Sequence, residues 1–368
     1  MARGILVHEW LEATGGSENV FDVLAETFPR ADLLCLWSDV ADRYPGRELK
    51  ETWLARTPLR ERKAAALPLL PATWRNRPGD YDWALVSSHL FAHHVSFRGS
   101  KDLRKYVYVH SPARYIWEPE LDRRGDSPLV RAAAATLKPL DRRRAQEITA
   151  AAANSGFVRD RIARAWGIDS TVIHPPVEVD RIQRIADWTT QLSVEELTVL
   201  DSLPQEFLLG ASRLIPYKAL DVVIASAKAC GVPAVVAGDG PERERLEAEA
   251  KATGATAIFL GRVSDAMLYA LYQRCLAYVF PAVEDFGIMP VEAMAAGAPV
   301  ISGRIGGTTE TVLDGVTGAH VDFDDPYSVR EGVERAVPLA GAKPAEHARS
   351  FSRAAFVDAV RRFVGDEG

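Results

Sequence analysis

Short apolar or β-branched runs alternate with longer amphipathic stretches from one end of the chain to the other. In the first half the runs are GILVHE, DLLCLW, WALVSS, KYVYVH and ITAAAAN; in the second they are EFLLGA, PAVVAG, TAIFLG, AYVFPA, APVIS and GAHVDF. Each is short enough to be a strand buried on both faces. Between them lie helix-period stretches such as NVFDVLAETF, KALDVVIASAKAC, PERERLEAEAKATG and DAMLYALYQRC. This alternation predicts an α/β protein, with parallel sheets covered by helices on both faces. No repeat of 20–50 residues emerges, which argues against a solenoid. The proline-rich VIHPPVEVDRI (172–182) closes the first set of strands, and the polar stretch at 187–206 leads into a fresh strand at Phe207. We therefore expect two doubly wound domains, 1–180 and 181–345, with a ligand cleft at the carboxyl ends of their strands. A last amphipathic stretch, SRAAFVDAVRRFV, lies within 346–368, and its pattern alone does not place it on either domain.

Composition narrows the class. The 368 residues are 47% hydrophobic and 26% charged, the balance of a globular chain, and they exceed one ordinary core. No apolar run approaches the ~18 residues that a membrane span needs. The opening MARGILVHEW meets His8 and Glu9 after few apolar positions, so no signal peptide is expected and the cytoplasm is the expected compartment. Cys35, Cys230 and Cys275 are widely spaced, as buried thiols in a reducing compartment would be. The net charge of −6 argues against nucleic acid as a partner. It hides an asymmetry: residues 1–184 carry 28 basic against 24 acidic groups, residues 185–368 carry 16 against 26. The first half can thus face an anionic surface.

Candidate chemistry gathers in a few loops. EDFGIMPVEAMAAGAPVI (284–301) reads as the loop after a buried strand, followed by a short helix closed by Gly297. Glu284 falls in the loop and Glu292 in the helix. Gly287 lets a ligand approach the backbone, and the N–H groups at Phe286, Gly287 and Ile288 suit anionic oxygens. Carboxylates accept hydrogen bonds from sugar hydroxyls, so such a pair suits a hexose and a ribose. Two lone glutamates would be indistinguishable from a helix cap. A diphosphate also needs cations, and Arg213 and Lys218 lie just beyond another strand of the same domain.

The first domain offers Gly15 and Gly16 after its first strand, with Ser17 as the expected N-cap of the following helix. The spacing is a poor match for a dinucleotide fingerprint. AGDGPERERLE (237–247) reads equally as a simple turn or as a ligand loop. KYVYVHSPARYIWEPE ends a strand at His110 and continues to Arg114, Tyr115 and Trp117; a histidine there can orient a hydroxyl or steady developing charge. His93 and His94 are adjacent and are not expected to converge, so no metal site is expected.

Taken together, these segments resemble the large retaining glycosyltransferase family 4, which has the GT-B fold. The matching pieces are the Gly-Gly-Ser-Glu loop at 15–18, HSP at 110–112, NSGFVRDRI, SRLIPYKALDVVI, AGDGPERERL, LGRVSD, EDFGIMPVEAMAAGAPVI, GGTTETVLDGVTG and FSRAAF. The resemblance implies two Rossmann-like domains facing a cleft, a final helix that crosses back onto the first domain, and a nucleotide-sugar donor held mainly by the second. By motif position, Arg213 and Lys218 would hold the diphosphate, Glu284 the hexose hydroxyls and Glu292 the ribose. Phe286, Gly287 and Ile288 would offer backbone amides, and Arg262 and Val263 would edge the base. Gly16, beside Gly15, would approach the phosphates from the first domain. His110 would sit near the transferred sugar, with Gly15, Arg114 and Tyr115 on the acceptor side. Such enzymes retain the anomeric configuration with no cofactor and no metal.

The stretch YVHSPARYIWE looks like members that use GDP-mannose in polysaccharide or glycolipid assembly; UDP-glucose and UDP-galactose remain alternative donors. The acceptor would be a glycan or a lipid-linked molecule. Residues 54–77 interleave Arg56, Arg60, Arg62, Lys63, Arg75 and Arg77 with Leu, Pro and Trp74. That pattern fits peripheral contact with an anionic inner membrane face as well as it fits a charged surface. Competing readings are an epimerase or phosphorylase of similar fold, and a non-catalytic nucleotide-sugar-binding subunit.

Overall fold

The computed structural model describes residues 2–118 and 128–365. The chain divides into two compact units, Met1–Pro176 with Phe356–Gly368, and Val177–Ala355. The first is built on a seven-stranded sheet of β1 (Gly4–His8), β2 (Asp32–Cys35), β3 (Leu49–Glu51), β4 (Trp83–Ser88), β5 (Arg104–Val109), β6 (Ala150–Ala153) and β7 (Thr171–Val172). The second has a six-stranded sheet of β8 (Leu208–Ala211), β9 (Ala234–Ala237), β10 (Ala257–Gly261), β11 (Ala277–Phe280), β12 (Val300–Ser302) and β13 (Gly318–His320). The orders are β3-β2-β1-β4-β5-β6-β7 and β10-β9-β8-β11-β12-β13, and every named pairing is parallel. Both are Rossmann-like, doubly wound sheets, and the chain reverses its winding direction between β1 and β4 and again between β8 and β11.

The continuous apolar runs follow from burial on both faces. In β8, β9 and β11, Leu208, Ala234, Val236, Ala277 and Val279 enter one core, while Leu209, Val235, Ala237, Tyr278 and Phe280 enter the other. The first sheet divides in the same way: Ile5, Val7, Ala84 and Val86 face one side, Leu6, Trp83 and Leu85 the other. Alternation along a strand, repeated across parallel neighbours, is what a two-faced sheet requires. β6 is four alanines, a composition that favours helix, yet it pairs in register with β5 from Tyr106 to Val109. The strands not expected from the sequence are β3 and β7, three and two residues long, at the two edges of the first sheet. Edge strands this short carry too little pattern to read.

The C-terminal helix Arg353–Val364 places Phe356, Val360 and Val364 in the core of the first unit with Leu6, Leu85 and Tyr108. Their spacing of four marks one helix face. Phe356 meets the Tyr108 ring at 5.6 Å and Phe363 meets Tyr106 at 5.6 Å, both edge-on. No helix among the described residues is long and apolar enough to cross a membrane.

Candidate active site

In the second unit, the segments after β8 and β11 flank the point where the winding reverses. Arg213 and Lys218 lie in the first of these segments and Glu284 in the second. Lys218 Nζ is paired with Glu284 Oε1 and lies over the rings of Tyr217 and Phe280, at 5.1 and 5.9 Å. The two side chains are 11% and 24% exposed, so the pair is shielded but reachable. Arg213 is exposed, with Nη2 3.4 Å from the Tyr217 hydroxyl. After Lys218 the chain turns through Ala219 at φ 51°, left-handed backbone that costs a residue with a Cβ roughly 1–2 kcal/mol. That turn lets Lys218 end a single 3-10 turn, Pro216–Lys218, before the helix Leu220–Cys230 begins.

The AGDG segment supports this loop. A Cβ on Gly238 would overlap the Ser212 carbonyl, and one on Gly240 would overlap that of Leu214. The amide of Leu214 donates to Asp239 O at 3.0 Å, so the backbone on either side of Arg213 is held from below. These glycines therefore have a packing reason at this position.

Gly287, at φ 89°, precedes the helix Ile288–Ala295, which brings the first-turn amides to the end of β11. Gly306 and Gly307 back the same loop. A Cβ on Gly306 would stand 3.0 Å from Glu284 O, one on Gly307 would overlap the Asp285 carbonyl, and the Gly307 amide donates to Glu284 O at 2.8 Å. The Phe286 side chain is buried and meets the Phe351 ring at 5.6 Å, so its contribution to any ligand is through the backbone. Glu292, one helical turn further on, has no hydrogen-bond partner for its carboxyl among the described residues. Burial pushes that carboxyl up to about 7, with Asp265 adding and Arg181 opposing. Gly297, at φ 93°, follows the end of this helix as expected. In the turn after β10, Arg262 is exposed and Val263 packs against the apolar core.

The first unit organises the same edge differently. Gly15 is the N-cap of the helix Gly16–Thr27, with Gly16 its first residue. Ser17, expected as the cap, instead lies inside the first turn and donates from its hydroxyl to Glu18 Oε2 at 2.7 Å. The Glu18 carboxylate folds back over Gly15 and occupies the space a Cβ would need, and the helix starts two residues earlier than expected, with the Asn19 amide donating to Gly15 O at 3.0 Å. His110 follows β5, with Nε2 2.8 Å from the Ser87 hydroxyl, and burial, with His89 adding, pushes its ring down to about 3. Arg114 opens the turn Arg114–Trp117; the Tyr115 side chain falls outside the described residues.

Several residues here are not ones that sequence reasoning singles out. Glu9, fully buried, accepts from the amides of His89, Leu90 and Ala92 at 3.2, 2.9 and 2.7 Å. It closes the loop after β4 onto the end of β1. Ser87 Oγ lies 3.0 Å from His8 Nδ1 as well as against His110, and the His8 ring stacks on Phe21 at 5.0 Å. The one available signal is position: Glu9 and Ser87 sit at the carboxyl ends of adjacent strands.

Contrary to expectation, His93 and His94 do converge. They occupy a 3-10 turn, Ala92–His94, and their Nε2 atoms lie 3.0 and 2.9 Å from Asp141 Oδ1. Trp117 and Trp166 donate their indole N–H to Asp141 Oδ2 at 2.8 and 2.7 Å. Burial pushes the Asp141 carboxyl up, but these histidines outweigh it and hold the group below the usual range. Among the described residues this is one group with metal-compatible donors, all within 4.8 Å of one another. His94 Nε2 and the two indoles are hydrogen-bonded to this fully buried carboxylate, the arrangement of a structural hub, while His93 Nε2 approaches it outside hydrogen-bond geometry.

Residues 54–77 are partly tied down. Lys63 pairs with Glu12 and lies over Trp10, Arg60 pairs with Asp39 at 2.7 Å, and Arg75 pairs with Glu147 at 2.6 Å. Trp74 is buried in the core, so it is not part of any surface the stretch presents. Arg56 and Arg62 are exposed, along with Trp53 at 49% and Leu69 at 38%.

Residues 200–356 match the family model described as "Glycosyl transferases group 1". The matched span contains Arg213, Lys218, Glu284 and Glu292. Among named relatives, the GDP-mannose-dependent alpha-(1-6)-phosphatidylinositol monomannoside mannosyltransferase of Mycolicibacterium smegmatis is 30% identical over 194 residues, 49% of this chain and 50% of its own. D-inositol 3-phosphate glycosyltransferase of the same organism is 32% identical over 205 residues, 51% and 45% of the two chains. D-rhamnosyltransferase WbpZ of Pseudomonas aeruginosa is 34% identical over 157 residues, 41% and 38%. The chain thus spans about half the length of the curated relatives it matches, or less. Over its whole length it superposes on Anabaena HepE, solved with UDP and glucose, with a TM-score of 0.69 at 18% identity and full coverage of both chains. Sucrose-phosphate synthase from Thermosynechococcus elongatus gives 0.70 at 16%, covering 98% of each. At such identities the likeness speaks to the fold, and it supports GT-B.

Proposed function

We propose that the chain is a glycosyltransferase that moves a hexose, mannose from GDP-mannose in our reading, from a nucleotide sugar to a glycan or lipid-linked acceptor. The observation that carries this reading is the Lys218–Glu284 pair at the winding reversal of the second sheet. The same family-matched span holds the amino end of Ile288–Ala295 and Glu292, whose carboxyl has no hydrogen-bond partner among the described residues. Arg213, Lys218 and the amides from Gly287 onward supply positive potential for a diphosphate, and Glu284 and Glu292 accept from hydroxyls. In the transfer we propose, the bond from the anomeric carbon to the β-phosphate oxygen breaks and the acceptor oxygen bonds to the same face. The acceptor proton passes to the departing phosphate oxygen, so configuration is retained. Arg213 and Lys218 steady the charge that develops on the diphosphate, the role a divalent ion would otherwise fill, so no metal is required.

The preference for GDP-mannose is supported by the Mycolicibacterium mannosyltransferase among the relatives and by the YVHSPARYIWE stretch. A panel of GDP, UDP and their sugars tested by thermal shift, followed by transfer assays with and without EDTA, tests the whole reading. Stabilisation by GDP and GDP-mannose with EDTA-resistant transfer is expected. Stabilisation by UDP alone would replace the donor, and no response to any nucleotide would sink the proposal. We further propose that the chain works at the cytoplasmic face of a membrane through Trp53, Arg56, Arg62 and Leu69. Sedimentation with phosphatidylserine-containing vesicles should detect this, and equal recovery with neutral vesicles would remove the electrostatic part.

A further inference from the structure

The buried rings at the carboxyl edge of the first sheet fix their own protons. His8 Nδ1 lies 3.2 Å from the backbone carbonyl of Ser87 and 3.0 Å from the Ser87 hydroxyl. A carbonyl only accepts, so Nδ1 of His8 must carry the hydrogen. Its other nitrogen, Nε2, is enclosed with no partner among the described residues. Left bare, that atom is an unsatisfied acceptor beside Phe21. Protonated, it would be a buried donor without an acceptor, and Nδ1 would then face the carbonyl lone pair to lone pair. The carbonyl is part of β4 and cannot turn away. Both costs point to the same tautomer.

The consequence passes through the serine. Ser87 Oγ receives the His8 N–H, and its own buried O–H has no acceptor among the described residues other than His110 Nε2 at 2.8 Å, so it donates there. His110 Nε2 is then an acceptor, and the ring's hydrogen must sit on Nδ1. His110 is only partly buried, and its Nδ1 has no hydrogen-bond partner among the described residues and is not one of the enclosed unsatisfied atoms.

We propose that His8 and Ser87 are positioning residues that hold His110 as the neutral Nδ1–H tautomer, so that His110 meets its ligand as a hydrogen-bond donor and not as a base. The ligand group it selects is an acceptor oxygen, such as a sugar hydroxyl or a phosphate oxygen. The assignment of the tautomer stands on the geometry of the first unit alone; the identity of the ligand rests on the glycosyltransferase reading. Phe21 and Tyr108, with ring centroids 5.0 Å from His8 and 5.2 Å from His110, pack aromatic surface against the two rings.

The test is long-range 15N–1H correlation on the full chain with labelled histidine at neutral pH, the His110 signals assigned by their loss in His110→Gln. The expected pattern for His110 is a protonated Nδ1 and a bare Nε2. Ser87→Ala should erase that preference, and Ser87→Thr, which keeps a hydroxyl, should restore it. A protonated Nε2 on His110 in the native chain, or an unchanged His110 signature in Ser87→Ala, would overturn the proposal. Should Ser87→Ala fail to fold, the native spectrum still decides. In transfer assays Ser87→Ala should lower kcat about tenfold, as expected for one misdirected hydrogen bond, with Ser87→Thr recovering most of it. If no nucleotide sugar binds, the spectrum still stands and only the ligand assignment falls.

Discussion

The two sheets wind alike, and their carboxyl edges are finished in opposite ways. In the first unit the groups at that edge are enclosed and paired: Glu9 accepts from three backbone amides, and burial keeps the His8 and His110 rings neutral. In the second unit the groups form an exposed-edge ion pair or lack a hydrogen-bond partner. Lys218 and Glu284 hold each other at a partly open surface, and the Glu292 carboxyl accepts no hydrogen bond from the described residues. One edge is hydrogen-bonded and enclosed; the other presents an ion pair and an unpartnered carboxyl. Topology places the loops, and side-chain pairing decides what each edge can bind.

The contrast is most exposed to experiment at the edge that presents the ion pair. Glu284→Gln should cut transfer by roughly a hundredfold or more while leaving nucleotide binding nearly intact, because it removes an acceptor for hexose hydroxyls and not a phosphate ligand. Lys218→Ala should weaken binding of the nucleoside diphosphate itself. Isothermal titration beside a transfer assay separates the two, and equal losses in both readouts for both variants would dissolve the division of labour.

At the enclosed edge the largest effect should be on folding. Glu9→Ala strands three amides in a buried site and should cost about 3 kcal/mol or more in denaturant unfolding. An unfolding free energy within error of the native value would show that the edge is looser than its geometry.

A smaller effect is expected from pH. Burial raises the Glu292 carboxyl in the folded chain to about 7, from an ordinary value of 4.5. The folded state therefore binds the extra proton between those values, so this group's contribution to stability falls as pH rises from about 4.5 to about 7 and is flat above. Glu292→Gln should flatten that part of the melting profile, and nucleotide affinity in the native chain should rise over the same interval as the carboxylate forms. A profile that is identical in the variant would show that Glu292 plays no part in it.

Much of this is legible in the sequence. The eleven apolar runs all fall on strands, because burial on both faces of a parallel sheet leaves a dense apolar signature. What escapes is either short, as with β3 and β7, or depends on partners distant in sequence. Ser17 has the residue type of a cap, yet the helix opens earlier, on the bond from the Asn19 amide to Gly15 O, and Ser17 lies inside its first turn. His93 and His94 would diverge on a helix, and a 3-10 turn brings both to Asp141, 47 residues from His94. Trp74 sits among basic neighbours along the chain and belongs to the core.

The sequence by itself determined the class of fold, most of the strands, the loops that carry Arg213, Lys218, Glu284 and His110, and the helix that carries Glu292, since periodicity and turn chemistry are local. The tertiary structure decided three further matters. It seated Phe356, Val360 and Val364 in the first unit's core. It joined Lys218 to Glu284 across two loops, and it set a backbone carbonyl against His8 so that a proton position propagates to His110. Each of these depends on which atoms meet after the chain has turned back on itself, and no spacing along the chain encodes that meeting.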